Sequence, residues 1–270
     1  MSEYIQRFID CLYSNLIAPV GSMMTHNKKH INVVCYHDSV GGGADGGKGL
    51  NLDAFRRQME WLVQEGYETL RFDELNDEMM CFRRKRVLIV FTDGKLSDYT
   101  EIFRYMSSLK LKFNVFLTVG EIGVNPDYMT WDMVRIMHNS RLCGFGSNSY
   151  SNIDMSDVTA IDTMTEVYGA DHIFMKEMNY APRDFCFPFG AHSMPAVRWL
   201  TFKAFYDRLY IEESNKRYAS NMKPVLRYTT INGNDSDVAV KNKFRGVYNL
   251  FNLFEYPQSY HQDAGSVIAQ

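Results

Sequence analysis

The chain has 270 residues, a formal net charge of -3, 46% hydrophobic residues and 14% aromatic residues. This supports a sizeable core in one large domain or two small ones. The slight acidic excess excludes non-specific nucleic-acid binding, and no run reaches the ~20 apolar residues of a membrane-spanning helix.

The chain starts MSEYIQRFIDCLYSNLIAPV, with acids near its front and no long apolar core, so it does not read as a secretion signal. A cytoplasmic protein is expected. Ile5, Phe8, Ile9, Leu12, Tyr13 and Leu16 follow helical spacing. Residues 1–30 are therefore expected to hold an amphipathic helix and lead-in. Its apolar stripe can pack on its own domain, on a twin subunit in a homo-oligomer or on a biosynthetic partner protein. A peripheral position at a membrane is the weaker use, since few basic residues flank the stripe.

INVVCY (31–36) reads as a strand. SVGGGADGGKGL follows, and from Gly42 it has the spacing of a phosphate loop. Gly49 stands where such a loop needs a Ser or Thr for magnesium, so a rim loop is the better reading. LDAFRRQMEWLVQEG (52–66) predicts a helix with Phe55, Met59, Leu62 and Val63 on one face and Gly66 as its stop.

VLIVF (87–91) is a strand, and a helix is expected near 98–110. FNVFLTV (113–119) is a strand, and TWDMVRIMHNS (130–140) a helix capped by Thr130. His138 on that helix reads as a surface or packing residue. LCGFGS is a short strand and DVTAIDTMTEVYGADHIFMKEM a long helix. DFCFP, DRLYI and VLRYTTI read as strands, with PAVRWLTFKAF as a helix after the first. The alternation argues an α/β barrel with a largely parallel sheet. Residues 31–270 read as one domain.

The five cysteines, 11, 35, 81, 143 and 186, form no CxxC pair and are expected to be reduced. In a parallel barrel the polar residues just after each strand share one face. In order these are His37 and Asp38, Thr92 and Asp93, Ser147 to Asn152, and Pro188 to His192.

VVCYHDSV, VLIVFTDG, TWDMVRIMHNSRLCGFGSNSYSN and APRDFCFPFGAHS occur in an order that resembles the polysaccharide deacetylase family, the NodB-homology carbohydrate esterases. The resemblance runs from residue 31 to about 230. It implies a distorted (β/α)7–8 barrel with its site at the C-terminal ends of the strands. It also implies a groove walled by Arg183, Pro188, Phe189 and Gly190.

Residue by residue, the family's chemistry does not carry over. Thr92 stands where the resemblance implies the general base, and Asp93 where it implies a metal-binding acid. Asn148 and Asn152 stand at the positions of the two metal-binding histidines. The family's late catalytic His has no clear match; Tyr256 and His261 are nearest. Zinc catalysis needs about three imidazole, thiolate or carboxylate ligands plus an open position. An Asn carboxamide is a neutral oxygen donor, suited to hard ions in oxygen-rich cages. No metal or other cofactor is therefore expected.

Two readings follow. In the first, a catalytically inactive relative of surface-polysaccharide metabolism binds a glycan, a nucleotide- or lipid-linked sugar, or a partner protein. Tyr99, Tyr150, Phe189 and Trp199 are candidates for stacking on sugar faces. In the second, His37, Asp93 and His192 form a rearranged site that hydrolyses a C–N or C–O bond. A divalent metal such as zinc enters only there.

Overall fold

The computed structural model describes residues 31–37, 50–75, 85–202, 206–212, 225–233 and 235–246. The expected N-terminal helix, Asp38, the glycine-rich loop, Tyr256 and His261 lie outside them.

Eight parallel strands run in chain order: β1 (Asn32–Tyr36), β2 (Glu68–Thr69), β3 (Arg86–Phe91), β4 (Phe113–Leu117), β5 (Cys143–Ser147), β6 (Asp184–Cys186), β7 (Arg208–Glu212) and β8 (Val225–Thr230). The sheet order is β1-β8-β7-β6-β5-β4-β3-β2, and β1 also pairs with β3. That pairing closes a ring of seven strands and leaves β2 outside it. The helices are α1 (Leu52–Gln64), α2 (a π-helical turn Asp98–Phe103 running into Arg104–Ser108), α3 (Trp131–Asn139), α4 (Ala160–Met178), α5 (Met194–Phe202) and α6 (Asp237–Phe244). Among the described residues, no helix is long and apolar enough to cross a membrane.

The strands are apolar on both faces because each is covered on both sides. Val33, Cys35, Leu88, Val90, Phe116, Cys186, Tyr210, Leu226 and Tyr228 fill the barrel interior. The alternate residues, among them Val34, Tyr36, Ile89, Phe91, Phe113 and Val115, point outward onto Phe55, Met59, Leu62, Met106, Val134 and Phe174 of the helices. Val63, expected on the buried face of α1, is exposed at 46%. It falls ~80° around the helix from Phe55, off the edge of the stripe.

Polar pairing closes the N-terminal end of the barrel. Arg208 donates from Nε and Nη2 to the two carboxylate oxygens of Asp184, at 2.6 and 2.8 Å, and from Nη2 to the Phe72 carbonyl at 2.9 Å. Tyr210 Oη donates to the same carboxylate at 2.9 Å. Burial pushes the Asp184 carboxyl up, and the Arg208 guanidinium opposes it. Asn114 in β4 ties β2 and β3 into the wall. Its Nδ2 donates to the carbonyls of Leu70 and Ile89, and its Oδ1 accepts from the Phe72 amide at 2.8 Å.

β2 has only two residues and no periodic pattern of its own, and α6, DVAVKNKF, which escapes the sequence reading, has almost no apolar stripe. Tertiary contacts hold α6 instead. Ser236 caps its start, and Asn32 of β1 donates to the carbonyls of Lys243 and Phe244 at its end.

Tyr206, just before β7, donates to Asp171 Oδ1 of α4 at 2.6 Å. Burial lifts the Asp171 carboxyl to about 6. An unfolded Asp titrates near ~3.9, so between about pH 4 and pH 6 the folded state binds more protons. Stability contributed here is full below about pH 4 and is lost as pH rises through about 6. Asp171→Asn keeps the acceptor for Tyr206 and removes the buried charge. Urea unfolding should show it more stable than the parent by about 1 kcal/mol at pH 7, with a flatter slope across that window. Parallel pH profiles for parent and variant would contradict the assignment.

Candidate binding site at the barrel mouth

Alternation in each strand fixes what faces the C-terminal opening. Cys35 points inward, so two residues on His37 does too. The same step takes Val90 to Thr92, Phe116 to Thr118, Gly146 to Asn148, Cys186 to Pro188, Tyr210 to Glu212 and Tyr228 to Thr230. The mouth is therefore a ring of one side chain from each of the seven strands. It rests on a floor of Cys35, Cys186, Tyr210 and Tyr228.

Contacts run around this ring. His37 Nδ1 lies 3.0 Å from Thr92 Oγ1, and its Nε2 lies 3.6 Å from the Cys35 sulfur. The His37 ring packs at 5.4 Å on the ring of Tyr228. Asn148 Nδ2 donates to Asp93 Oδ1 at 3.2 Å and to Asn152 Oδ1 at 2.9 Å. Thr230 Oγ1 donates to Glu212 Oε1 at 2.8 Å. A Cβ added at Gly190 would meet the Glu212 side chain at 2.5 Å, which places the Pro188–Gly190 turn against Glu212.

Burial dominates the electrostatics. It pushes the Asp93 carboxyl up, against the opposing influence of Lys95, His37 and the Asn148 amide. Asp98, the first residue of α2, is buried and pushed well up, first by burial and then by the charge of Asp93. The thiols of Cys35 and Cys186 are raised by burial, and both feel Asp93 and Glu212. The two carboxylates thus stand over the same floor. Lys95 holds its ammonium 3.8 Å over the ring of Tyr128.

The loops at the mouth take strained backbone. Asp93 (φ 74°), Ser149 (φ 69°), Asn152 (φ 60°) and Phe189 (φ 55°) are left-handed. Asp and Asn tolerate this region, whereas Ser and Phe do so at a cost of about 1 kcal/mol or more. Hydrogen bonds hold these turns. The Thr118 amide donates to the Asp93 carbonyl, and the Asn152 amide to Ser149 Oγ. Glu166 of α4 accepts from the amides of Tyr150 and Ser151 at 3.1 and 2.8 Å and from Ser151 Oγ at 2.5 Å.

Side-chain contacts pair His37 with Thr92 and join Asn148 to Asp93 and Asn152, and the two groups meet at the Thr92–Asp93 peptide. His192 is buried in its own loop, with Nδ1 2.7 Å from the Gly190 carbonyl and its ring 5.6 Å from that of Phe187. Phe189 and Tyr150, exposed at 66% and 40%, stand on the rim. Arg183 was expected in the groove wall, but it precedes β6. It therefore lies at the opposite end of the barrel, in a bidentate pair with Asp207. There it lines a cavity of about 380 Å³ with Arg71 and His138. Burial pushes His138 down, in keeping with a packing role. Tyr99 stacks on Phe103, and Trp199 meets Tyr168 edge-on between α5 and α4. Both therefore serve helix packing. The sequence reading missed Glu212, Thr118 and Asp98. Extending the period-2 count by one residue in DRLYIE would have found Glu212.

The polysaccharide deacetylase family model matches residues 80–203. The structure superposes on a polysaccharide deacetylase from Bacillus cereus with a TM-score of 0.69 and 16% identity, covering 79% of this chain and 68% of that one. The family model thus matches part of the chain, and the fold is that of the solved polysaccharide deacetylases. The Streptococcus pyogenes deacetylase PplD in complex with acetate gives a TM-score of 0.67 at 16% identity, covering 84% of this chain and 98% of that one. IcaB from Ammonifex degensii gives 0.64 at 18% identity, covering 82% and 97%. No curated protein matches the chain.

The resemblance implies a metal at Asp93, Asn148 and Asn152, and the geometry there does not fit zinc. The Asn148 NH2 lies between the oxygens of Asp93 and Asn152, a donor where a cation would need acceptors. Among the described residues, no group of three His, Cys, Asp or Glu side chains is placed to hold a metal ion.

Glu166 is the anchor of the loop carrying Asn148 and Asn152. Glu166→Ala should increase hydrogen exchange at the amides of Tyr150 and Ser151 at least about tenfold and lower stability by about 1 kcal/mol. Unchanged exchange at both amides would show that other contacts hold the loop.

Proposed function

We propose that this polysaccharide deacetylase-like chain binds carbohydrate at the barrel mouth and does not perform metal-dependent deacetylation. The observation that carries the reading is the hydrogen-bonded cluster at Asp93, Asn148 and Asn152, in which one carboxylate is joined to two neutral amides. Without a Lewis acid, bound water keeps a pKa far above neutrality. Without a carboxylate at position 92, no strong base stands beside it; a Thr hydroxyl accepts no proton near pH 7. Phe189 and Tyr150 offer ring faces at the rim, and the ring of hydroxyls and amides matches sugar hydroxyls. The proposed ligand is a polysaccharide or a nucleotide- or lipid-linked sugar of surface-polysaccharide metabolism, handled in the cytoplasm.

A second reading rests on the 3.0 Å contact between His37 Nδ1 and Thr92 Oγ1. A hydroxyl beside an imidazole is a nucleophile–base arrangement. In that reading a metal-free hydrolysis centred on His37 would survive loss of Asp93 as a ligand.

The purified protein should release no acetate above background from N-acetylated oligosaccharides and hold no stoichiometric zinc. About one zinc per chain, lost in Asp93→Ala, would overturn the first reading. So would acetate release that scales with protein. Release abolished by His37→Ala yet insensitive to chelator would establish the second.

The triple change Thr92→Asp, Asn148→His and Asn152→His restores one more carboxylate and two imidazoles. At 100-fold excess over its Kd, zinc should then stabilise the fold by about 2.7 kcal/mol. A zinc-dependent rise in Tm is expected in the triple variant and not in the parent. A folded triple variant blind to zinc would show that these positions do not form a ligand triad.

A further inference from the structure

We propose that the mouth recognises the ammonium group of a de-N-acetylated amino sugar in preference to the neutral N-acetyl form. This rests on the carbohydrate-binding reading and names its ligand class.

The ring is rich in acceptors and poor in cations. Asp93 reaches the ring through its hydrogen bond from Asn148, and Glu212 is the ring residue of β7, bonded to Thr230 and packed against Gly190. Each keeps only neutral partners in the hydrogen bonds described above: the Asn148 amide for Asp93 and the Thr230 hydroxyl for Glu212. Lys95 is engaged over Tyr128, and its charge offsets only part of the burial of Asp93. A buried carboxylate without a direct ion pair is costly, and a bound cation offsets that cost.

A second observation points the same way. Asn148 is 1% exposed, and its Oδ1 has no hydrogen-bond partner. Thr118 Oγ1 beside it is also buried and unpaired. These two positions follow the paired strand ends Leu117 and Ser147, so they are neighbours on the ring. Unsatisfied buried acceptors are uncommon and call for a donor. An ammonium brings three donors and a positive charge. An N-acetyl group brings a single N–H and a carbonyl that Asp93 repels. Phe189 and Tyr150 supply the ring faces that suit a sugar rather than a bare amine.

The test is isothermal titration of the full chain with β-1,4-linked glucosamine tetramer and with its fully N-acetylated counterpart, at one ionic strength. The glucosamine tetramer should bind at least roughly tenfold more tightly, as expected for a charge-assisted contact. Glu212→Gln and Asp93→Asn should each remove most of that preference. Glu212 is exposed, so its variant tests the idea even if Asp93→Asn fails to fold. Equal binding, or tighter binding of the N-acetylated tetramer, overturns this inference and leaves the carbohydrate-binding reading standing. Binding of neither overturns both. Calcium that binds alone and abolishes tetramer binding would make the mouth a hard-cation site and overturn the preference. Loss of binding to both tetramers in folded Glu212→Gln would also overturn it, because Glu212 would then act without regard to charge.

Discussion

Closure of a seven-stranded parallel ring is the constraint on which the rest of the molecule depends. A closed ring leaves no free edge, and period-2 alternation forces every second side chain into a narrow interior. The interior must then be filled. Leu88, Val90, Phe116, Tyr210 and Tyr228 fill its middle, and the Arg208–Asp184 pair with Tyr210 Oη closes its lower end. Where the filling stops, the next inward residue of each strand has nowhere to go but the mouth. The site is thus a consequence of packing geometry. Its chemistry is decided by which residues follow the last buried one.

Glycine sets how tightly the ring closes at β5. A Cβ at Gly146 would stand 2.6 Å from the Phe116 ring and 2.8 Å from the Asp184 carbonyl, so only glycine lets β4, β5 and β6 meet there. The large Phe116 ring occupies the space that Gly146 leaves open. That exchange keeps the floor dense beneath Asn148 and pushes the polar ring upward toward solvent. Left-handed turns follow at Asp93, Ser149, Asn152 and Phe189. The Thr118 amide holds the first, and Ser149 Oγ and Glu166 hold the loop of Ser149 and Asn152.

Much of the fold was legible because its strands are short apolar runs between clear helix signals. VLIVF, FNVFL and the Thr130-capped helix stand almost where spacing puts them. β2 and α6 have no periodic apolar signal of their own, and both depend on distant partners, Lys85 and Asn32 among them. The convergence of His37, Thr92, Asp93 and Asn148 could be read from their places after strands. Arg183 was misread because likeness to a motif was followed in place of position. It precedes its strand, and in a parallel barrel that puts it at the other end. Glu212 was missed for the converse reason: an acid at the end of an apolar run, followed by Glu213, looks like a strand terminator and not like a member of a ring. The π-helical start of α2, which buries Asp98 close to Asp93, follows from tertiary packing that no local pattern announces.

The charge count of the mouth gives the substitutions a common logic on the proposed reading. A divalent ion with two imidazoles and two carboxylates is electrically balanced. Removing the ion alone would leave two buried negative charges facing each other, which a barrel interior does not tolerate. Thr92 removes one of them and gives His37 a neutral partner in its place. Asn148 and Asn152 replace the imidazoles with amides, and Asn148 donates both to Asn152 and to the carboxylate that remains. What is left is a single buried acid with neutral partners. Glu212 adds a second acid to the mouth, with the Thr230 hydroxyl as its neutral partner. The ring is stable enough to fold without an ion, yet it retains a negative bias and unpaired acceptors. A pocket with that balance selects ligands that donate hydrogen bonds and carry positive charge, the opposite of a site built around a metal cation.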